Sequence, residues 1–178
     1  VIFLDEPTAG VTPVARERFW SLICQLSSQG KTIFVTTHYM DEAEMCGRIA
    51  LMHTGEIIAL DTPKNLKEST FPHGIFEVSL DNDDFTSLKS YQTELGLSGD
   101  KNIFSLRPYG LFYHLIIHDY ARWNELLSST MRSIPPTFKS EQIIKRLQKT
   151  LNRLVPTLED VFIELIEARG KRSTHDQS

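Results

Sequence analysis

Two carboxylates and a histidine follow two apolar segments within the first forty residues. Residues 1–4, Val-Ile-Phe-Leu, run directly into Asp5 and Glu6, and a second apolar segment, residues 32–36, ends just before His38. An uninterrupted apolar run predicts a strand that is buried on both faces, as in a parallel sheet. Carboxylates at the end of such a strand are costly unless they meet a cation, so a Mg²⁺–phosphate site would suit them. For the Asp-Glu pair alone, a simple polar turn is the alternative.

The residues between the two apolar segments predict a helix. Thr12 suits the N-cap position, Pro13 suits the first helical position, and Gly30 suits the end. The apolar residues within this range recur at helical spacing: Phe19, Leu22, Ile23 and Leu26. A strand, a helix and a strand within about 36 residues form a βαβ unit with parallel strands. Hence we expect His38 to lie at the same sheet edge as Asp5 and Glu6.

Four segments of the chain resemble those of ABC-type ATPases. The Walker B strand and D-loop of that family are similar to VIFLDEPTAG, and its switch-histidine segment is similar to TIFVTTHYMDEAE. The end of the ATPase domain is similar to RIALMHTGEIIALDTPKNLK, and the tail of drug-exporter-type ATP-binding subunits is similar to PTLEDVFIEL. The order and spacing of the first two segments make the resemblance specific. It is strong over residues 1–69 and fair over 156–166.

The resemblance implies a role for each candidate site residue. Asp5 would hold Mg²⁺, Glu6 would orient or deprotonate the attacking water, and His38 would contact the γ-phosphate of ATP. Gly10 and Thr12 would lie with Asp5 and His38 around the nucleotide. Thr12 stands where the family's D-loop carries an Asp, which leaves open a degenerate site in an asymmetric pair. For His38, a histidine that caps a helix through a backbone hydrogen bond is the alternative.

Two further segments only imitate nucleotide-binding motifs. Gly30-Lys31-Thr32 imitates the end of a P-loop, but the first glycine of that motif would fall on Gln25 and the segment leads into a strand. Residues 97–100, Leu-Ser-Gly-Asp, imitate the ABC signature, but they follow the Walker B strand and lack its second glycine and its glutamine. We therefore expect the chain to be the C-terminal part of an ATP-binding subunit. Alone, it should bind ATP poorly and hydrolyse essentially none.

The fold expected from these patterns is α/β. Residues 1–70 should form part of a P-loop NTPase sheet, with parallel strands followed by a hairpin over 48–53 and 56–60. Residues 74–170 should form a small α+β domain of the ferredoxin-like, split-βαβ type, because their pattern begins β-α-β-β-α. Within it, residues 140–153 favour a helix and 152–155 a short strand, while Thr157 should cap a final helix. Residues 171–178 should be a disordered tail.

Composition narrows the class of protein. The chain has 178 residues, 40% apolar content and a net charge of −4, which gives no reason to expect nucleic acid as a partner. Two cysteines, Cys24 and Cys46, fall in predicted helices and suit reduced thiols. No apolar run approaches the roughly 20 residues that span a bilayer. His114 and His118 have the spacing of a metal pair but lie in a strand-like run without a third ligand.

Together these patterns and the resemblance lead to one main functional prediction. The complete protein would be the ATP-hydrolysing subunit of an ABC exporter, using ATP and Mg²⁺ at the cytoplasmic face of the inner or plasma membrane. Its partners would be a transmembrane permease and a second nucleotide-binding domain. One alternative is a regulatory or dimerisation module with a vestigial ATPase half. Another is a non-transport ABC ATPase of translation or DNA repair, which the acidic balance and the LEDVF segment oppose.

Overall fold

The structure is a computed structural model that describes residues 1–97, 103–129, 147, 149 and 151–173. The contacts divide the chain into two compact units. The first comprises Val1–Leu66 together with the described residues from Thr157 onward, and the second comprises Lys67–Pro156. Within the described residues, no helix combines the length and the apolar character needed to cross a membrane.

The first unit begins with the predicted βαβ arrangement. Strand β1 (Ile2–Asp5), helix α1 (Pro13–Ser28) and strand β2 (Ile33–Thr36) follow one another, and the two strands pair in parallel. Thr12 caps α1, since its hydroxyl accepts a hydrogen bond from the Ala15 backbone N–H at 3.4 Å. Gly30, just beyond the helix, has a φ of +81°, a conformation that costs glycine least.

The cap of α1 gives a stability test. Replacing Thr12 by alanine removes the acceptor of the Ala15 N–H and should lower the free energy of unfolding of the first unit by about 1 kcal/mol. Thr12→Asp keeps an acceptor at the N-cap and is the matched control, which should stay close to the unmodified protein in chemical denaturation. Equal unfolding midpoints for all three proteins would contradict the capping role.

The two parallel strands are less buried than the sequence predicted. Phe3 and Phe34 stand side by side in the register, stack at 5.2 Å between ring centroids, and are 75% and 58% exposed. The described residues contribute only two strands to this sheet, and one of its faces carries these solvent-exposed aromatic rings. Ile2 and Leu4, which alternate with Phe3 along the strand, are half-buried.

A hairpin and the last helix complete the first unit. After the short helix α2 (Met40–Ala43), strands β3 (Ile49–His53) and β4 (Glu56–Asp61) pair antiparallel, as predicted. The final helix, labelled α6 here, is Leu158–Ser173 and begins at the predicted Thr157 cap. It contacts the hairpin through Phe162 beside His53 and through an ion pair from Arg169 to Glu56 at 2.9 Å.

The position of α6 differs from the predicted domain boundaries. Residues 74–170 were predicted to form one accessory domain, whereas the contacts group α6 with the first unit. Leu158 and Val161 are fully buried there. The prediction failed because an amphipathic pattern indicates which face of a helix is buried but does not indicate which segment packs against that face. The helix also continues to Ser173, past the predicted start of a disordered tail, and residues 174–178 lie outside the described residues.

The second unit is built around an antiparallel sheet. Helix α3 (Pro63–Thr70) links the two units, and strands β5 (Ile75–Val78), β6 (Phe104–Tyr109), β7 (Phe112–Ile117) and β8 (Asn152–Leu154) form the sheet in the order β6-β7-β5-β8. Helices α4 (Asn82–Leu97) and α5 (Tyr120–Ser129) follow β5 and β7. The short predicted strand before Pro156 is thus present. Most of the predicted 140–153 helix lies outside the described residues.

The core of the second unit lies on this sheet and its helices. Its buried members include Val78, Leu88, Phe104, Leu106, Leu115, Ile117, Trp123 and Leu147. Phe104 and Trp123 meet edge to face at 5.3 Å between ring centroids. The overall architecture is therefore mixed α/β with small sheets.

Candidate functional site

The carboxyl ends of β1 and β2 bring the predicted acid pair next to polar groups of β2. In the parallel register Asp5 stands beside Thr36, and the Thr36 hydroxyl donates a hydrogen bond to Asp5 Oδ1. The same hydroxyl oxygen accepts from the Glu6 backbone N–H at 3.1 Å. Thr36 therefore orients the Asp5 carboxylate and anchors the backbone that carries Glu6.

Glu6 reaches His38 because the chain turns sharply after β1. Glu6 has a φ of +43°, a left-handed conformation that is uncommon for a residue with a side chain. Its backbone N–H also donates to the Thr36 carbonyl oxygen at 3.1 Å, which holds the turn against the end of β2. In this arrangement Glu6 Oε1 lies 3.3 Å from His38 Nδ1. Strained backbone of this kind is often found at functional sites.

The Glu6–His38 contact is open to solvent. The side chains are 52% and 58% exposed, so the contact is screened and contributes little to stability as an ion pair. Exposure suits groups that must meet a ligand. Asp5 and Glu6 offer carboxylate oxygens, and His38 offers a ring nitrogen that can donate or accept according to its protonation. The three predicted residues thus converge at one sheet edge.

Gly10 and Thr12 lie in the segment between β1 and α1. Gly10 has a φ of +73° in the turn that leads to the helix. The Thr12 hydroxyl is engaged as the N-cap of α1, facing the Ala15 N–H. Their predicted place beside a nucleotide stays a prediction, because the contacts of both residues are explained by the turn and the helix cap.

A buried carboxylate that the sequence analysis missed lies beside this site. Glu42 of α2 is 2% exposed, and its two oxygens lie 2.6 and 2.8 Å from the Thr8 hydroxyl, which donates to them. The Thr37 hydroxyl donates to Glu42 Oε2 at 2.9 Å, and Arg16 Nε lies 3.1 Å from Oε1. The Arg16 guanidinium in turn stacks over the Tyr39 ring at 4.4 Å. We refer to Thr8, Arg16, Thr37, Tyr39 and Glu42 as the Glu42 cluster.

The short helix α2 is not capped by its acidic residues. The pattern of residues 41–44, Asp-Glu-Ala-Glu, taken alone predicts a capping box. In the structure Tyr39 is the N-cap of α2 and contributes no side-chain cap, while the Glu42 side chain turns inward. Two threonines, Thr8 and Thr37, follow the two strands, and both hydroxyls donate to Glu42. These threonines were the sequence feature that could have indicated the buried acceptor.

The described residues suit a magnesium ion only in company with phosphate. No group of three or more His, Cys, Asp or Glu side chains that could hold a metal occurs among the described residues. Mg²⁺ commonly binds one or two carboxylates and completes its shell with substrate phosphates and water. Asp5, an exposed carboxylate at the sheet edge, fits that mode and does not fit a metal cage built from protein alone.

The two histidines with metal-pair spacing have other surroundings. His114 lies in β7, is buried, and stacks on Tyr109 with 4.1 Å between ring centroids. His118 follows that strand, and its Nε2 lies 3.0 Å from the Ser105 hydroxyl. The spacing of these two residues therefore reflects strand packing.

The two cysteines were predicted to lie in helices. Cys24 does lie in α1, whereas Cys46 lies in the turn after α2. Both are free thiols. Burial raises the pKa of the Cys46 thiol, and the nearby Cys24 and Glu42 raise it further. A thiol with a raised pKa stays protonated at neutral pH and is a poor nucleophile. Cys46 is therefore a weak candidate for a nucleophile.

Comparison with known proteins adds to this geometry. The chain is 52% identical over 67 residues to the probable multidrug ABC transporter ATP-binding protein YbhF of Escherichia coli, covering 38% of this chain and 12% of that protein. It is 32% identical over 168 residues to the Nod factor export ATP-binding protein I of Neorhizobium galegae, covering 93% and 41%. A fluoroquinolones export ATP-binding protein of Mycobacterium tuberculosis is 47% identical over 68 residues, covering 38% and 23%. No protein-family model matches the chain.

A parallel strand pair with an acid pair and a histidine at its carboxyl edge, together with these relatives, defines the class as nucleotide-binding subunits of transporters. The chain is similar to ABC transporter ATP-binding proteins, as its motifs indicated, and the relatives named above are described as multidrug or export proteins. The chain spans less than half of the length of each of them.

Proposed function

We propose that the chain contributes the hydrolytic sheet edge of an ATP-hydrolysing ABC exporter subunit. The observation that carries the proposal is the convergence of Asp5, Glu6 and His38, with Glu6 Oε1 3.3 Å from His38 Nδ1 at the ends of two parallel strands. Open α/β sheets bind ligands at that edge. The relatives, named as export ATP-binding proteins, support the same assignment.

Phosphoryl transfer needs positioned charges and an oriented nucleophile more than covalent chemistry from the protein. Magnesium held by Asp5 and the nucleotide phosphates would neutralise charge on the phosphate oxygens. Glu6 would accept a hydrogen bond from the attacking water and orient it. His38 would donate a hydrogen bond to the terminal phosphate. Through its contact with Glu6, it would also keep the attacking water aligned with that phosphate.

The partners and place of the complete subunit follow from this assignment. A transmembrane permease would hold it at the cytoplasmic face of the membrane, and a second nucleotide-binding domain would face its site. The described residues supply the acid pair and histidine but no glycine-rich phosphate loop, so phosphate binding would depend on sequence outside this chain. The chain by itself should therefore show no micromolar ATP affinity in a titration.

The second unit is proposed to be an accessory module of the ferredoxin-like type. Its element order β5-α4-β6-β7-α5-β8 and its sheet order β6-β7-β5-β8 support that assignment. A regulatory or dimerising role for this module is compatible with the exporter assignment.

The role of His38 is tested by comparing ATP with ADP. In the complete subunit, His38→Ala should weaken ATP binding by about ten- to a hundredfold while leaving ADP binding nearly unchanged, because a hydrogen bond to a charged phosphate is worth about 1.5–3 kcal/mol. Isothermal titration with each nucleotide measures both affinities. His53→Ala, which removes a histidine of the same unit packed on Phe162, is the control. Equal losses for ATP and ADP would remove His38 from the γ-phosphate.

A further inference from the structure

Glu42 is a buried carboxylate whose partners come from three separate segments of the first unit. Thr8 belongs to the turn after β1, Thr37 follows β2, and Arg16 lies in α1. Of the charged residues whose burial the structure describes, Glu42 has the smallest exposed fraction, 2%. A buried carboxylate is tolerated only where hydrogen bonds and a cation compensate its lost hydration, and Glu42 has both.

The two hydroxyl contacts act on the two sides of the candidate site. Thr8 lies two residues after Glu6, and Thr37 immediately precedes His38. Glu42 accepts from both hydroxyls with the oxygens of one carboxylate, at 2.6–2.9 Å. Thr37 Oγ1 also accepts from the Tyr39 backbone N–H at 3.1 Å, which fixes the loop on the far side of His38. One side chain therefore sets the relative position of the two backbone segments that carry Glu6 and His38.

Arg16 forms an ion pair with the Glu42 carboxylate and helps to hold it in place. Its Nε lies 3.1 Å from Glu42 Oε1, and its guanidinium lies over the Tyr39 ring. Replacing a buried ion pair by apolar side chains is often neutral for stability. Stability alone therefore does not account for an acid at position 42, whereas the fixing of two loops does.

We propose that Glu42 is a positioning residue for ATP hydrolysis, which sets the Glu6–His38 geometry through Thr8 and Thr37. This inference rests on the proposed function of Glu6 and His38. Glutamine at position 42 offers only one acceptor oxygen and no charge, so it cannot serve both hydroxyls and Arg16. The neighbouring Asp41 provides a matched control, because its side chain is 72% exposed and reaches Arg16 only at 3.9 Å.

Kinetics of the complete subunit give the first test. Glu42→Gln should lower kcat for ATP hydrolysis by about ten- to a hundredfold, as expected for a displacement of about 1 Å in a catalytic group, and should raise KM by less than His38→Ala does. Asp41→Asn should leave kcat unchanged. In a His38→Ala background, Glu42→Gln should cause a smaller further loss in single-turnover rate than in the unmodified subunit, because residues that act as a unit are not additive. The same fold-loss with and without His38 would overturn the proposal.

Hydrogen exchange gives a second test that does not depend on hydrolysis. In the nucleotide-free complete subunit, Glu42→Gln should speed exchange several-fold at the Ala9 and Tyr39 amides, whose hydrogen bonds lie in the two linked segments. Asp41→Asn should affect neither, and the β3–β4 hairpin serves as internal reference. A response in one segment only, or in none, would overturn the proposal. If Glu42→Gln loosens both segments but Glu6→Gln leaves turnover unchanged, the proposed function fails and the structural link stands.

Discussion

Replacing Glu6 with glutamine in the complete ATP-binding subunit is expected to slow ATP hydrolysis by about 10²–10⁴-fold while sparing ATP binding. Glutamine keeps the size of the side chain but cannot accept the proton of a water or orient it as a carboxylate does. Its amide can still lie beside His38 Nδ1, 3.3 Å away in the structure, so the turn should be preserved. Steady-state phosphate release gives the rate, and titration with non-hydrolysable ATP gives the affinity.

The same substitution at an unrelated exposed carboxylate is the control for Glu6→Gln. Glu17 lies on an exposed position of α1 and should tolerate glutamine without loss of turnover. Unchanged hydrolysis in Glu6→Gln would remove Glu6 from the proposed role. A parallel loss of ATP affinity would instead make Glu6 a binding group.

Leu115→Ala should lower the free energy of unfolding of the second unit by about 2–5 kcal/mol. Leu115 lies in β7, which pairs with both β5 and β6, and its side chain is fully buried in the core. Removing it leaves a cavity that neighbouring strands can fill only in part. Because a domain of this size has about 5–15 kcal/mol of stability, the loss should shift denaturation strongly. Urea unfolding followed by Trp123 fluorescence, in a Trp20→Phe background, reports on this unit.

Leu111→Ala is the matched control for the core substitution. It makes the same chemical change in the same hairpin, but Leu111 is 91% exposed. Substitutions of exposed residues usually change stability by less than about 0.5 kcal/mol. If both variants unfolded at the same urea concentration, the assignment of Leu115 to the core would be contradicted.

Local patterns in the sequence predicted the elements that build the site. Thr12 followed by Pro13 predicted the start of α1, and two short apolar runs predicted β1 and β2. The parallel pairing followed from the length of the connection, because a helical crossover returns the chain in the same direction. Parallel strands end at one edge, which is why the sequence predicts that Glu6 and His38 lie close together.

Contacts between distant segments were harder to predict. Residues 41–44 are three acids and one alanine, a pattern that indicates the start of a short helix and not a buried carboxylate at Glu42. Its burial depends on where Thr8, Thr37 and Arg16 lie in three dimensions, which no local pattern encodes. The expected double-sided burial of Phe3 was wrong for a related reason, since what packs on each face of a sheet depends on segments that are distant in the sequence.

The return of α6 to the first unit makes the second unit an insertion with two covalent attachments. The chain leaves at Leu66 and comes back at Thr157, so roughly 90 residues separate the hairpin from the helix that covers it. If the inserted unit unfolded, docking α6 would require closing a flexible loop of that length, at an entropic cost of about 4 kcal/mol. Folding of the insertion thus brings the ends of its segment near one another and lowers that cost. Damage to one unit should in this way propagate to the other through chain connectivity alone.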